Sequence, residues 1–236
     1  FAFINNTLTS YDFGSADTIV GGAGSDTIQL GVNGIGSVVA NTTEFNNKTG
    51  IDVLDLRGNV NNVTLADAFV AAADAGTMIV RTDKIVQTSD AATANATPSL
   101  AANNRAAEDN SVNTVVLTEL ADNRAIKFIG GSGKDQVVVD NASANQFTEL
   151  DGGSNTGTAA TGALGSNDSL TVVNTAVLDD NDVKNIKNFE FVNLVETIVG
   201  NSNFTLTLSE AFVLANTNGL VIGSTTGTHG QRLGAG

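Results

Sequence analysis

The chain has 236 residues, with 25 acidic against 11 basic side chains, a net charge of −14, 25 glycines, a single proline and no cysteine. That charge argues against a nucleic-acid partner, because phosphate binding needs a basic face. The missing cysteine rules out disulfides and thiolate metal sites, and no apolar run approaches the roughly 18 residues of a membrane-spanning helix.

Aromatic residues make up only 5% of the chain, so valine, isoleucine, leucine and alanine must build the core. The abundance of Gly, Asn, Thr, Asp and Ser favours many short strands joined by polar turns, an all-β class. The chain starts at Phe1 rather than Met and shows no signal peptide, so it is expected to be a processed chain or an excised fragment.

Residues 1–11 alternate weakly through Phe1, Phe3 and Leu8 and are expected to form one edge strand. Residues 12–20 (DFGSADTIV) are a degenerate copy of the nine that follow, 21–29 (GGAGSDTIQ), with Asp17 aligned on Asp26 and Ile19 on Ile28. A glycine-rich bend at Gly31, Gly34 and Gly36 leads into a short strand at 37–39. Residues 50–54 (GIDVL) repeat the second half of the pattern, with Asp52 in the acidic slot and Leu54 in the apolar slot.

A different repeat follows. Residues 63–71 (VTLADAFVA) match 206–214 (LTLSEAFVL), and Gly76 matches Gly219. Each copy reads strand, short helix, glycine stop, strand. Ser209 is a natural N-cap with Glu210 in the first turn, and Phe69 and Phe212 are expected to anchor the helices on the sheet.

Residues 88–112 are Ala, Asn, Ser and Thr around Pro98 and read as a surface loop or linker. Strand character resumes at 113–118 and 125–129. The nonapeptide then returns as 130–138 (GGSGKDQVV), followed by strands at 137–139 and 146–150. A fresh loop opens at 151–154 (DGGS), takes a small-residue insertion, and closes at 166–170 (SNDSL), with Asp168 and Leu170 in the two slots. Residues 186–194 alternate cleanly and are expected to be one half-buried strand. Residues 224–236 read as a flexible tail.

The two full copies have the form GGxGxDxUx, U being a large apolar residue. Glycines let a loop take positive φ and turn its carbonyls inward. The aspartate adds a carboxylate, and crowded hard oxygens are what Ca²⁺ binds. At these residues the chain resembles the bacterial RTX (repeats-in-toxin) family, whose repeats form parallel β-roll or β-helix coils. The resemblance implies export by type I secretion, uptake of Ca²⁺ outside the cell, and an extracellular or cell-surface location. The strand at 186–194, following a split motif, is similar to those of large RTX-type adhesins and S-layer proteins.

In a coil of short strands each loop stacks on the next but one. The expected calcium ligands are therefore Asp17, Asp26 and Asp52 with the carbonyls of Gly22 and Gly24, and Asp135, Asp151 and Asp168 with those of Gly131 and Gly133. One ion between each loop pair would complete six to eight oxygens at about 2.3–2.6 Å. The competing reading is an Asx-turn, in which the carboxylate binds nearby N–H groups.

Four segments are expected: a first RTX-like unit at 1–90, a linker at 91–112, a second unit at 113–223 and the tail at 224–236. No catalytic motif is present. Gly133-Lys134 lacks the upstream glycine and following Ser/Thr of a phosphate loop, and the sole histidine, His229, lies in the tail. The expected role is a secreted structural protein that self-assembles as an S-layer lattice or filament, its partners being copies of itself, calcium and a cell-surface polysaccharide. The alternative is a calcium-stiffened domain of a large adhesin contacting a host or carbohydrate surface; a third is a non-catalytic domain of an RTX hydrolase.

Overall fold

The computed structural model describes residues 2–3, 7–8, 13–31, 37–57, 60–82, 112–118, 120–121, 124–131, 133–140, 147–153, 168–173, 177–195, 205–216, 220–225 and 232–234. The predicted linker up to residue 111, the insertion at 154–167 and His229 lie outside these residues.

Short valine- and leucine-rich runs between Gly, Asn and Asp turns are too brief for helices and take the extended form. The first half holds β1 (Ala2–Phe3), β2 (Thr7–Leu8), β3 (Ile19–Val20), β4 (Thr27–Leu30), β5 (Ser37–Ala40), β6 (Lys48–Thr49), β7 (Val53–Leu56), β8 (Val60–Thr64) and β9 (Met78–Arg81). The second half continues with β10 (Val112–Val116), β11 (Ile126–Ile129), β12 (Lys134–Asp140), β13 (Phe147–Asp151), β14 (Ser169–Val173) and β15 (Val177–Leu178). It ends with β16 (Ile186–Lys187), β17 (Phe191–Val195), β18 (Thr205–Leu206), β19 (Val221–Thr225) and β20 (Arg232–Gly234). The helices among the described residues are α1 (Asp67–Ala71), α2 (Asp180–Val183), α3 (Glu210–Ala215) and a 3-10 turn at Thr42–Phe45.

Successive strands alternate between two large sheets. One has seven strands in the order β1-β4-β7-β9-β11-β13-β16; the other has nine, β2-β5-β8-β10-β12-β14-β17-β19-β20. Two small sheets pair β3 with β6 and β15 with β18. The strand pairings among the described residues are parallel throughout, except that β20 runs antiparallel to β19. Parallel sheets are normally covered on their apolar faces, and here each sheet turns one in-register apolar row inward. In the seven-stranded sheet the row is Ile28, Leu54, Val80, Phe128, Leu150 and Ile186. In the nine-stranded sheet it is Ala40, Val63, Val115, Val137, Leu170, Val192 and Ile222. One buried cluster runs from Phe13 to Phe212. Removing a ring such as Phe128 from it would cost about 3–5 kcal/mol.

Several expectations need correcting. Both sheets cross the expected 91–112 boundary, because β8 pairs with β10 and β9 with β11. The hydrogen-bonded scaffold is therefore continuous from one expected unit to the next. Residues 1–11 contribute two strands, β1 and β2, to different sheets rather than one edge strand. The alternating run 186–194 breaks at Asn188, whose φ of 61° turns the chain from one sheet to the other. Asparagine tolerates that left-handed conformation better than most residues. Part of the expected tail, Arg232–Gly234, is β20.

The helices at α1 and α3 match expectation, with Ser209 Oγ accepting the Phe212 N–H at 3.2 Å. α2 was not expected. Asp179 accepts N–H bonds from Asn181 and Asp182, and Asp182 returns one from the Asp179 N–H at 2.8 Å, a reciprocal cap. The two copies of the strand–helix–strand repeat also occupy different places. Both make the same corner contact, Gly50 N–H to the Ala72 carbonyl and Asn188 N–H to that of the aligned Ala215, but the strands that follow, β9 and β19, enter the seven-stranded and the nine-stranded sheet respectively.

Candidate functional site

The two nonapeptides feed different sheets. Asp26 precedes β4 in the seven-stranded sheet, and Asp135 is the second residue of β12 in the nine-stranded one. Because Ile28 pairs with Leu54 and Val137 with Leu170, the acidic slots two residues earlier are also stacked.

At the first pair, Gly22 donates its N–H to Asp26 Oδ2 at 2.7 Å, and the Asp26 N–H donates to Asp52 Oδ2 at 3.0 Å. Asp52 Oδ1 takes the Ala75 N–H at 2.8 Å. Asp52 is buried and Asp26 half-buried. Gly24 sits at φ +121°, a conformation that L side chains rarely adopt. A Cβ at Gly21 would strike the Gly50 carbonyl oxygen, so that corner closes only with glycine. The row ends after two acids, since the next strand offers Met78.

The second pair belongs to a longer buried row. Asn61, Asn113 and Asp135 are in register across β8, β10 and β12. Asp168 and Glu190 continue the row, each one residue ahead of the paired Ser169 and Phe191. All five are buried. The Asn61 amide donates to Asn113 Oδ1 at 2.5 Å, and the Asn113 amide donates to Asp135 Oδ1 at 2.8 Å. Thr82 Oγ1 donates to the same Asp135 oxygen at 2.7 Å, and the Gly131 N–H reaches Asp135 Oδ2 at 3.0 Å. Next, the Asp135 N–H donates to Asp168 Oδ1 at 2.7 Å, and the Asp168 N–H to Glu190 Oε2 at 2.8 Å.

Asp168 Oδ2 is buried and has no hydrogen-bond partner among the described residues. Burial first, then the charges of Asp135, Glu190 and Asp151, raise the Asp168 pKa from 3.8 to about 10, against the opposing Asp135 N–H bond. Asp151 lies at the end of β13. Its Oδ1 accepts from Gly153 N–H at 2.9 Å and from the Asn188 amide at 2.7 Å, and Lys187 lies 3.4 Å from its Oδ2. Gly131 and Gly133 are buried beside Asp135, whereas Gly22 and Gly24 are exposed.

Asp17 stands apart from both rows. It is exposed and accepts the Gly14 N–H at 2.8 Å.

The carboxylates of Asp26, Asp52 and Asp135 are thus engaged by N–H, amide and hydroxyl donors, the arrangement of Asx-type turns extended from loop to loop. Among the described residues no group of three or more acidic, His or Cys side chains is placed so as to hold a metal ion. A carboxylate offers about four lone-pair directions, so one or two donors leave it able to meet a cation as well. The donor set fits a hard cation best at Asp168, where a buried oxygen lacks any partner and three more carboxylates raise the negative potential.

Sequence reasoning missed Glu190, Asn61 and Asn113. The signal was available: each precedes a valine by two residues (Val192, Val63, Val115), the same polar-x-apolar spacing as Asp135-x-Val137. Comparisons with protein-family models, with curated proteins and with solved structures found no match.

Proposed function

We propose that this chain is a secreted calcium-binding structural protein, coiled as an RTX-like β-roll, that self-assembles at the bacterial surface as an S-layer lattice or filament. The observation that carries the reading is the buried acid row ending in Asp168 and Glu190, with one Asp168 oxygen lacking a donor. Buried charge is tolerated when it is paired or binds metal. Asp135, Asp168 and Glu190, with Asp151 beside them, would hold the ion, and Asp26 with Asp52 would hold another. When bound, calcium supplies positive charge and hard coordination, and its binding free energy adds to folding free energy. Neutralising part of the −14 charge also removes self-repulsion, which favours contact between copies.

A calcium titration followed by calorimetry and circular dichroism, with electron microscopy of the same samples, tests the reading, with magnesium as the control. The expected result is calcium binding that tightens the fold, and ordered polymers only in its presence. Asp135→Ala is expected to weaken binding. Absence of a calcium isotherm would overturn the metal reading. A calcium-loaded monomer at all concentrations would overturn the assembly and point to an adhesin-type module.

A further inference from the structure

The turn ahead of β3 closes around a lysine some thirty residues downstream. Lys48 is only 2% exposed, although lysine is among the residues least often buried unless paired. Its ammonium donates to three backbone carbonyls: Gly14 at 2.5 Å, Asp17 at 2.8 Å and Asn46 at 3.1 Å. Three N–H donors thus meet three acceptors, the full capacity of an ammonium. Nζ also lies 4.9 Å from the centroid of the Phe13 ring, whose π-face attracts a cation. Phe13 is itself fixed edge-on against Phe45, with ring centroids 5.5 Å apart. The Asn47 amide donates to the Ser15 carbonyl at 2.9 Å, tying the same turn to the residue before Lys48.

The sequence of this turn explains its difference from the full motif. In the degenerate copy 12–20, Phe13 replaces Gly22 and Ser15 replaces Gly24. With Asp12 standing where the full copy has Gly21, all three motif glycines are gone, and a ring now forms one wall of the cage. The carbonyls nevertheless converge, as carbonyls around a bound cation do.

We propose that the Lys48 ammonium is the resident cation of this first turn: a monocation site of carbonyl oxygens and one aromatic face, filled by the chain itself. This first turn is then held without a divalent ion, and Asp17 drops out of the expected calcium set. Burial lowers the Lys48 pKa from its ordinary 10.5, only partly offset by the charges of Asp17 and Glu44, so the ammonium depends on the three carbonyls and the ring that meet it. The class of ligand the cage accepts is a primary alkylammonium. The inference stands independently of calcium binding elsewhere.

Two experiments on the full chain test it. In the first, lysines of the wild-type protein are acylated under limiting reagent and read by mass spectrometry, in calcium and in chelator. Lys48 is expected to label about tenfold or more slowly than exposed Lys184 in both conditions, as for a site reached only through local opening. Labelling at equal rates, or protection that calcium abolishes, would overturn the proposal. In the second, Lys48→Ala is melted with added n-propylammonium, which replaces the missing end of the side chain, and with tetramethylammonium, which has no N–H to donate. Recovery of the melting temperature by n-propylammonium alone is expected. Equal effects of the two salts, or wild-type stability of Lys48→Met, would overturn it. If Lys48→Ala fails to fold, the labelling ratio in wild-type protein decides by itself. A protein that binds no calcium but protects Lys48 would sink the metal reading and leave this one standing.

Discussion

Asp168 donates its N–H and accepts one, yet its second oxygen faces no donor in a buried row. Burial, reinforced by the charges of Asp135, Glu190 and Asp151, places its pKa near 10, above the ordinary 3.8. The sign follows from linkage. With the folded pKa raised, the stabilising contribution is complete below the unfolded value and is lost as pH climbs toward the folded one. In chelator, the melting temperature is therefore expected to fall between about pH 5 and about pH 9. Asp168→Asn keeps the shape and removes the titration, so it is expected to flatten that slope. Thermal melts of both proteins across this range are the measurement, and a wild-type melt independent of pH would count against the buried carboxyl. Glu149 behaves in the opposite sense. Hydrogen bonds from Lys127 and Lys187 hold its pKa below the usual range, so its contribution is present above that range and lost as pH falls through the lowered value. Lys127, Glu149 and Lys187 are each about a quarter or more exposed, so Glu149→Gln is expected to cost less than about 1 kcal/mol, and less still in high salt. A denaturant titration showing a larger, salt-independent loss would contradict a surface ladder.

At the scale of the element, the corners govern the stacking. A Cβ at Gly130 would meet the Gly152 carbonyl oxygen, and one at Gly152 would meet that of Asn188. These are backbone atoms of stacked loops and cannot step aside singly. Gly22, by contrast, has open space around the added atom. Gly130→Ala is expected to destabilise by about 1–3 kcal/mol, and Gly22→Ala to stay within about 0.5 kcal/mol. Equal chemical-denaturation midpoints for the two variants would refute the stacked corner. The same corners explain what could be read beforehand. The stacking of each loop on the next but one placed Asp26 with Asp52 and Asp135 with Asp168, and the acid-x-apolar spacing put each acid on the face of its apolar partner, because a period of two fixes which residues share a strand face. It could not say which sheet a motif enters, since the nonapeptide specifies a local turn and not the sheet its strand joins. Residues 186–194 were read as one strand because the alternation runs straight through Asn188; the left-handed turn there depends on the Asn185–Asn188 corner stacking over Asp151 and Gly152. The repeat around Phe69 and Phe212 was visible as sequence, but its two copies cover different strands, a choice made by the neighbours and not by the helix.

For the whole molecule, a stack of parallel strands has two ends, and each end leaves backbone N–H and C=O groups open to another chain. At the amino-terminal end the described edge strands, β1 and β2, are only two residues each. At the other end α3 lies beyond β16, and β20 crosses β19 antiparallel through Val221–Gly234, Ile222–Leu233 and Gly223–Arg232. An antiparallel strand does not continue a parallel stack, so β20 interrupts the register that another copy would need to extend the nine-stranded sheet. The proposed assembly is therefore expected to use the faces or loops and not the strand ends. Ending the chain after Thr225 removes β20 and exposes β19. The expected outcome is concentration-dependent association that no longer needs calcium, measured by size-exclusion chromatography with light scattering in chelator. If the shortened chain instead stays monomeric at every concentration, β20 does not guard the edge, and end-to-end growth of the untruncated chain becomes the simpler route to the proposed filament.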